Sequence, residues 1–141
     1  MTVDRELVTR KLLLVTAEIE SLGVIRDKGR DAYITNSFEQ AVVERRLERA
    51  IGRMIDINYH IITSNGHPPP SDYHASFFKL AELGVLDPEF ARRIARAAGL
   101  RNRLVHDYED LDPGKVFDAL DDALRDVPVY LARVNQHLKA Q

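Results

Sequence analysis

The sequence contains no cysteine. Disulfide bonds, thiolate nucleophiles and cysteine-based zinc sites are therefore excluded, and a reducing compartment is favoured. Long hydrophobic runs are also missing, because charged residues interrupt every apolar stretch well before the roughly 20 residues that a membrane helix needs. The N-terminal residues, Met1 to Leu7, are charged and do not begin a signal peptide. We therefore expect a cytoplasmic protein that has no membrane partner.

Strand-like alternation, internal repeats and low-complexity tracts are absent as well. The 141 residues are 45% hydrophobic and 30% charged, which is the size and composition of one globular domain. We therefore expect a single domain over residues 1–141.

Apolar residues recur at helical spacing in two long stretches. The first runs from Asp4 to about Lys28, and the second from Ser37, a candidate N-cap, to about Ile62. The stripes are Val8, Leu12, Val15, Ile19 and Leu22 in the first, and Val43, Leu47, Ala50, Met54, Ile57 and Ile61 in the second. The spacing of the second stripe indicates left-handed bundle packing, and the segment between the stretches is predicted to be a connector.

Proline and glycine divide the rest of the chain. Three consecutive prolines, 68–70, predict a loop over 64–72, because proline lacks an amide proton and clashes inside a helix. Ser71 is predicted to cap a short helix that stops at Gly84. The pair Asp87 and Pro88 opens another helix, which we expect Gly99 to interrupt.

A final long helix is predicted to begin at Asp112 and Pro113 and to kink at Pro128. The predicted fold class is therefore all-α: an antiparallel up-and-down bundle of about five helices.

The net charge of −2 argues against a protein that binds polyanions over its whole surface, but the charges are unevenly distributed. Residues 89–108 contain five arginines and two acids, whereas residues 109–126 contain seven acids and two bases. Arginine clusters suit bidentate contact with phosphate, which makes Arg96 and Arg103 candidate RNA-binding residues. The acidic block suits a basic partner surface or simply solubility.

The second long helix carries a polar face about 100° round from its apolar stripe. Its members are Arg46, Arg49, Arg53, Asp56 and His60. This face either borders a cleft shared with the arginine-rich segment or is an exposed surface with intrahelical ion pairs. On the first alternative, Arg53 and Asp56 are supporting site residues and Arg49 is a further RNA-binding candidate.

The most informative stretch is residues 99–108, Gly-Leu-Arg-Asn-Arg-Leu-Val-His-Asp-Tyr. If it is helical, Asn102 and His106 share one face, whereas Arg101 and His106 lie about 140° apart. One undistorted helix therefore does not bring Arg101 and His106 together. Either the helix starts late, after Gly99, or a second protomer completes the site.

The side chains of this stretch permit acid–base chemistry without a metal or cofactor, because no familiar metal-ligand spacing is present. A histidine can exchange a proton near neutral pH, and an arginine can stabilise the charge of a phosphorane. RNA supplies its own nucleophile, the 2′-hydroxyl, whose attack leaves a 2′,3′-cyclic phosphate. The residues suffice for RNA cleavage but do not require it; a surface arginine, a capping histidine and a packed tyrosine would fit the same pattern.

Residues 99–108 resemble the signature of the HEPN superfamily, and the trailing Tyr108 makes them similar to its HepT branch. The similarity extends over most of the chain, including the second long helix, the proline-rich loop and the Gly84 to Pro88 turn. The resemblance implies a dimeric, metal-independent RNA endonuclease that is the toxin of a toxin–antitoxin pair. It also implies that the active cleft lies at the two-fold interface.

Carried onto this sequence, the resemblance makes Arg101 and His106 the catalytic pair and Asn102 the polar position after the arginine. Tyr108 matches the tyrosine to which the antitoxin, a minimal nucleotidyltransferase called MntA, adds AMP from ATP. The implied partners are thus RNA, this antitoxin and a second copy of the chain. Two other functions stay open: a non-catalytic subunit that binds nucleotide or nucleic acid for a nucleotidyltransferase, and a purely structural helical dimer.

Overall fold

A computed structural model describes residues 3–141, except for the side chain of Tyr108. This part of the chain forms seven α-helices and one short 3-10 helix, and it contains no strand. The helices are α1 (Arg5–Arg26), α2 (Arg30–Ile34), α3 (Ser37–Ser64), α4 (Tyr73–Glu82), α5 (Pro88–Ile94), α6 (Arg96–His106), the 3-10 helix (Tyr108–Asp110) and α7 (Pro113–Lys139). The predicted all-α class is confirmed.

Short polar side chains define where the helices begin. Asp4 caps α1 by accepting from the Leu7 amide, and Asp112 caps α7 by accepting from two amides of the first turn. The cap of α3 is Asn36 and not the predicted Ser37, and the cap of α4 is Asp72 and not Ser71. In both corrected cases the side-chain oxygen accepts the amide proton of the third residue onward, which satisfies an otherwise unpaired helix donor.

Two corrections explain why more helices are present than predicted. The segment predicted to be a connector contains α2, which is anchored by the buried Tyr33, whose ring lies 5.5 Å from that of Phe117. The break between α5 and α6 falls at Ala95, and Gly99 lies inside α6. Glycine permits a break but does not force one, and the backbone of Gly99 stays helical. Helix α7 continues through Pro128, where a kink stays a prediction.

Helix α3 is the centre of the bundle, and it packs against α1, α4, α6 and α7. Its predicted apolar stripe is fully buried, as expected. The stripe of α1 differs from the prediction: Glu18 is buried on it, whereas Ile19 is only partly buried. The arginines that face Glu18 from α3 explain why a carboxylate takes this position.

A buried hydrogen-bond chain connects α7, α3 and α4. The Tyr130 hydroxyl donates to Asn58 Oδ1 at 2.5 Å, and Asn58 Nδ2 donates to the Ser76 hydroxyl at 3.0 Å. Ser76 in turn donates to the carbonyl oxygen of Tyr73 at 2.7 Å. This chain fixes the start of α4 relative to α3, and α4 carries the Tyr73 ring toward α6.

None of the helices described is both long and apolar enough to cross a membrane. Among the described side chains there is also no group of three or more histidines or acids arranged to hold a metal ion.

Candidate active site

Arg101 lies where α6 crosses α3 and α4. The centre of its guanidinium group is 5.1 Å from the centroid of the Tyr73 ring, a cation–π distance. Its Nε is buried and has no hydrogen-bond partner within the part of the chain that the structure describes. Gly52 of α3 leaves room for this side chain, since a Cβ atom at that position would lie 3.7 Å from Nε. The Tyr73 ring therefore holds Arg101 in place, and its two Nη groups, which are not buried and make no hydrogen bond to a described residue, remain available to a ligand.

A pocket of about 260 Å³ opens beside Arg101. It is lined by Gly52, Ile55, Asp56, Tyr59, Tyr73 and Arg101. The Tyr59 ring meets the Tyr73 ring edge to face at 6.0 Å, and the Tyr59 hydroxyl donates to the carbonyl of Pro70 at 3.3 Å. Burial, with smaller effects from Tyr73 and Asp72, raises the pKa of Tyr59. The Tyr59 phenol therefore stays protonated, and the pocket wall is aromatic and rigid on this side.

Asp56, a predicted supporting residue, lies at the edge of this pocket. Its carboxylate is exposed and lies 3.5 Å from Lys11 Nζ of α1. Asp56 and Arg101 thus line the same pocket, and the ion-pair partner of Asp56 comes from α1 and not from the same helix. The supporting role of Asp56 stays a prediction. The charges of Asp56 and Lys11 offset each other, which leaves Arg101 as the main charge facing the pocket.

His106 and Asn102 are exposed on α6 and do not line the pocket of Arg101. Because α6 is continuous from Arg96 to His106, the alternative in which the helix starts after Gly99 is wrong. The separation of about 140° between Arg101 and His106 therefore applies within one chain. Tyr108 follows at the start of the 3-10 helix, and its side chain lies outside the part of the structure described here.

The three arginines of the polar face of α3 point toward α1. Arg46, Arg49 and Arg53 lie 3.5, 4.0 and 3.8 Å from the carboxylate of Glu18. The prediction of intrahelical ion pairs along this face is therefore wrong for the arginines, because their shared partner belongs to the neighbouring helix. His60, on the same face, accepts the Asp4 amide proton at Nε2 at 3.0 Å and thus ties the start of α1 to α3.

The other RNA-binding candidates lie elsewhere. Arg96 and Arg103 line a groove of about 190 Å³ between α6 and α7, together with the acids Asp122 and Asp126. The predicted RNA-binding residues thus fall into two groups, with Arg49 on the α1 side of α3 and the other two on the α7 side of α6. The motif alone could not reveal this division, since it depends on how α6 docks on its neighbours.

Tyr73 and Gly52 are site residues that the sequence did not reveal. Tyr73 was predicted only as a member of a short helix, and its contact with Arg101 joins segments far apart in the chain. The available signal for Gly52 was a glycine in the interior of a long helix, because a residue without a side chain permits the close approach of another element.

Comparison with known proteins connects this geometry to a family. A family model described as "Ribonuclease HepT-like" matches residues 14–134. The chain belongs to the HepT-like ribonuclease family. It is also 32% identical over 136 residues to the tRNA nuclease HepT of Aphanizomenon flos-aquae (strain 2012/KM1/D3), an alignment that covers 96% of this chain and 92% of that protein. The predicted membership of the HepT branch is confirmed, and with it the interpretation as a ribonuclease.

Solved structures support the same fold. The AMPylated HEPN toxin of Shewanella oneidensis, in complex with its MNT antitoxin, matches with a TM-score of 0.85 at 22% identity, over 94% of this chain and 98% of that one. Protein YutE of Bacillus subtilis matches with a TM-score of 0.80 at 18% identity, over 98% and 92%. The predicted HEPN-like bundle is therefore confirmed.

Proposed function

We propose that this HepT-like ribonuclease is the toxin of a toxin–antitoxin pair and cleaves RNA without a metal ion. The observation that carries the proposal is Arg101, whose guanidinium group is fixed over Tyr73 and makes no hydrogen bond to any of the described residues. A phosphate oxygen of RNA is the ligand that an arginine in this state suits best. The name of the relative, tRNA nuclease HepT, makes tRNA the first substrate class to test.

The proposed reaction uses the hydroxyl of the substrate. His106 takes the proton of the ribose 2′-hydroxyl, and the 2′-oxygen attacks the adjacent phosphorus. Arg101 stabilises the negative charge that develops on the phosphorane. The bond to the 5′-oxygen then breaks, and this oxygen receives a proton, so that one product ends in a 2′,3′-cyclic phosphate and the other in a 5′-hydroxyl.

A homodimer would bring the two groups together. Arg101 and His106 face different directions on the continuous helix α6, and His106 is exposed. A two-fold axis beside α6 would place His106 of one copy opposite Arg101 of the other, which supplies the geometry that a single chain lacks. Asn102, on the same face as His106, would then orient its imidazole.

We further propose that a nucleotidyltransferase antitoxin of the MntA type silences the enzyme by adding AMP to Tyr108. The phenol oxygen would attack the α-phosphorus of ATP and displace pyrophosphate, while the phenolic proton passes to solvent. The resulting phosphodiester adds bulk and negative charge two residues after His106, where it repels an RNA phosphate. The similar Shewanella oneidensis toxin is AMPylated in complex with its antitoxin. A cytoplasmic location would give the pair access to RNA and ATP.

The decisive experiment is to incubate the purified, unmodified protein with tRNA in excess EDTA, in parallel with His106→Ala. Wild type is expected to cleave and to leave cyclic phosphate ends, whereas His106→Ala loses about 10²- to 10⁴-fold in rate. His137→Ala, at the far end of α7, is the matched control and should cleave like wild type. No cleavage by folded, unmodified wild type would contradict the proposal and favour the non-catalytic binding subunit.

The modification is tested separately by co-expression with a nucleotidyltransferase antitoxin of the MntA type. Intact mass should rise in steps of one AMP group for wild type and stay unchanged for Tyr108→Phe. An increase in the Tyr108→Phe variant would place the modified residue elsewhere.

A further inference from the structure

The three arginines that face Glu18 do not pair with it in the ordinary way. Their guanidinium nitrogens lie 3.5 to 4.0 Å from Oε1, at or beyond the limit of a hydrogen bond. Among the described residues, Oε2 of Glu18 and Nη1 of Arg53 are both buried and find no hydrogen-bond partner. The side chain of Glu18 is 8% exposed. Such unsatisfied buried groups are rare in proteins and call for a functional explanation.

The charges of this cluster are also unbalanced. Arg46, Arg49 and Arg53 share a single carboxylate, so the four side chains carry a formal excess of two positive charges. Two exposed arginines elsewhere in the bundle, by contrast, each have an acid of their own: Arg26 bonds Asp121 at 3.2 Å, and Arg30 bonds Asp118 at 2.5 Å. The side chains of Arg46 and Arg49 are 38% and 45% exposed, so their free N–H groups can reach an anion in solution.

The cluster lies on the same helix as the floor of the active-site pocket. Gly52, which contacts Arg101, follows Arg49 by one helical turn, and residues three apart are neighbours on a helix surface. Asp56, one turn further, lines the pocket itself. An extended RNA strand whose scissile phosphate lies at Arg101 can therefore continue along α3 toward Arg49 and Arg46.

We propose that Arg46 and Arg49 form a second phosphate subsite, which binds the backbone of a neighbouring nucleotide of the RNA. Glu18 is the positioning residue of this subsite, because it holds the three guanidinium groups close together without neutralising all of their charge. Arg53 does not bind the phosphate and remains the counter-charge of Glu18. This inference rests on the proposed function, because it assumes that the scissile phosphate binds at Arg101. The ligand class is a single-stranded RNA backbone, recognised by charge and not by base.

The test compares two double variants in the His106→Ala background, in which RNA stays intact. Arg46→Gln/Arg49→Gln removes the subsite, and Arg26→Gln/Arg30→Gln is a matched control with the same change in net charge. Binding of a labelled single-stranded RNA is measured by fluorescence anisotropy from about 0.05 to 0.5 M salt. Thermal unfolding of each variant checks the fold.

Each lost phosphate contact lowers the salt slope by about 0.7 for single-stranded nucleic acid, which corresponds to about 5-fold in affinity near 0.1 M salt. The subsite variant should therefore bind about 25-fold more weakly, with a slope lower by about 1.4, while the control changes less than about 3-fold. Arg46→Lys/Arg49→Lys, which keeps the charge, should restore most of the affinity. Equal losses in the subsite and control variants would overturn the proposal, as would a parent protein that binds no RNA.

Kinetics separate this inference from the proposed function. In the His106-containing enzyme, Arg46→Gln/Arg49→Gln should raise KM for a long RNA and leave kcat unchanged. A dinucleotide, which has no neighbouring phosphate, should be cleaved equally by wild type and variant. If wild type cleaves nothing but the binding difference persists, the nuclease proposal fails and the phosphate site stands. If the variant loses activity equally on the dinucleotide and the long RNA, the subsite proposal fails and the nuclease proposal stands.

Discussion

Two buried carboxylates face arginines in this bundle, and they differ in how fully they are hydrogen-bonded. Asp126 of α7 accepts hydrogen bonds from Arg93 at 3.1 Å and from Arg125 at 2.9 and 3.0 Å, so both of its oxygens are satisfied. Glu18 of α1 is equally buried, yet its three arginines lie 3.5 Å or more away, and its Oε2 has no hydrogen-bond partner among the described residues. The first arrangement stabilises the fold, whereas the second leaves guanidinium groups free for a ligand.

The same contrast holds between the interior and the pocket. Asn58, Ser76 and Tyr130 form a buried chain in which each side chain finds a partner. Arg101, on helix α6 beside α3 and α4, has a buried Nε without a hydrogen-bond partner in the described part of the chain. The polar groups of the buried chain are thus satisfied within the protein, whereas three of the four buried unsatisfied atoms among the described residues belong to Glu18, Arg53 and Arg101, along the surface that we propose binds RNA; the fourth is the Tyr33 hydroxyl.

Substitution of Arg101 gives the largest expected effect. Arg101→Gln should lower the rate of RNA cleavage by about 10²- to 10³-fold, because a preorganised donor to the developing charge is lost. The free energy of unfolding should fall by no more than about 1 kcal/mol, the value of the lost cation–π contact with Tyr73. Single-turnover cleavage and urea denaturation measure the two effects.

Arg92→Gln, an exposed arginine of α5, is the control for this comparison and should alter neither quantity. If Arg101→Gln lowered the free energy of unfolding by several kcal/mol, Arg101 would be a structural residue. It would then not differ in role from the residues of the buried hydrogen-bond chain.

Substitution within the buried hydrogen-bond chain should mainly lower the free energy of unfolding. Asn58→Ala removes two buried hydrogen bonds and leaves a cavity, so the free energy of unfolding should fall by about 2 to 3 kcal/mol, although the hydroxyls of Tyr130 and Ser76 can still donate to the carbonyls of Met54 and Tyr73. Asn135→Ala, on the exposed face of α7, should change it by less than about 0.5 kcal/mol. Urea denaturation of both variants measures this difference. Similar midpoints would mean that the buried hydrogen-bond chain contributes little to stability.

The sequence was sufficient for the parts of the structure that depend on neighbouring residues. Helix α3 follows its apolar stripe over nearly its whole length, and Asp87 and Asp112 lie at the helix starts where the following prolines predicted them. The motif of residues 99–108 was enough for the family, because its spacing is specific in this context. These features are local, and local patterns can be read without knowing the fold.

The errors have a common physical cause, which is contact between distant segments. Periodicity alone could not choose between Glu18 and Ile19 for the buried face of α1, because the choice depends on the arginines of α3. The helix α2 is too short to show a pattern, and Tyr33 holds it through Phe117, far along the chain. The partner of Arg101 is Tyr73, from a helix that no motif connects to it.

The smallest expected effect concerns Asp126 and depends on pH. Burial alone would raise the pKa of Asp126, but the hydrogen bonds and charges of Arg125 and Arg93 outweigh it and hold that pKa below the usual 3.8. The ionised form therefore stabilises the folded state fully above about pH 4, and this stabilisation is lost as pH falls through the folded pKa. Asp126→Asn should lower the free energy of unfolding by about 1 to 2 kcal/mol near neutral pH, with the difference from wild type shrinking below about pH 4. If the difference in unfolding free energy between Asp126→Asn and wild type stayed constant down to about pH 2, it would arise from packing and not from the charge of Asp126. The contrast between Asp126 and Glu18 would then not be one of charge.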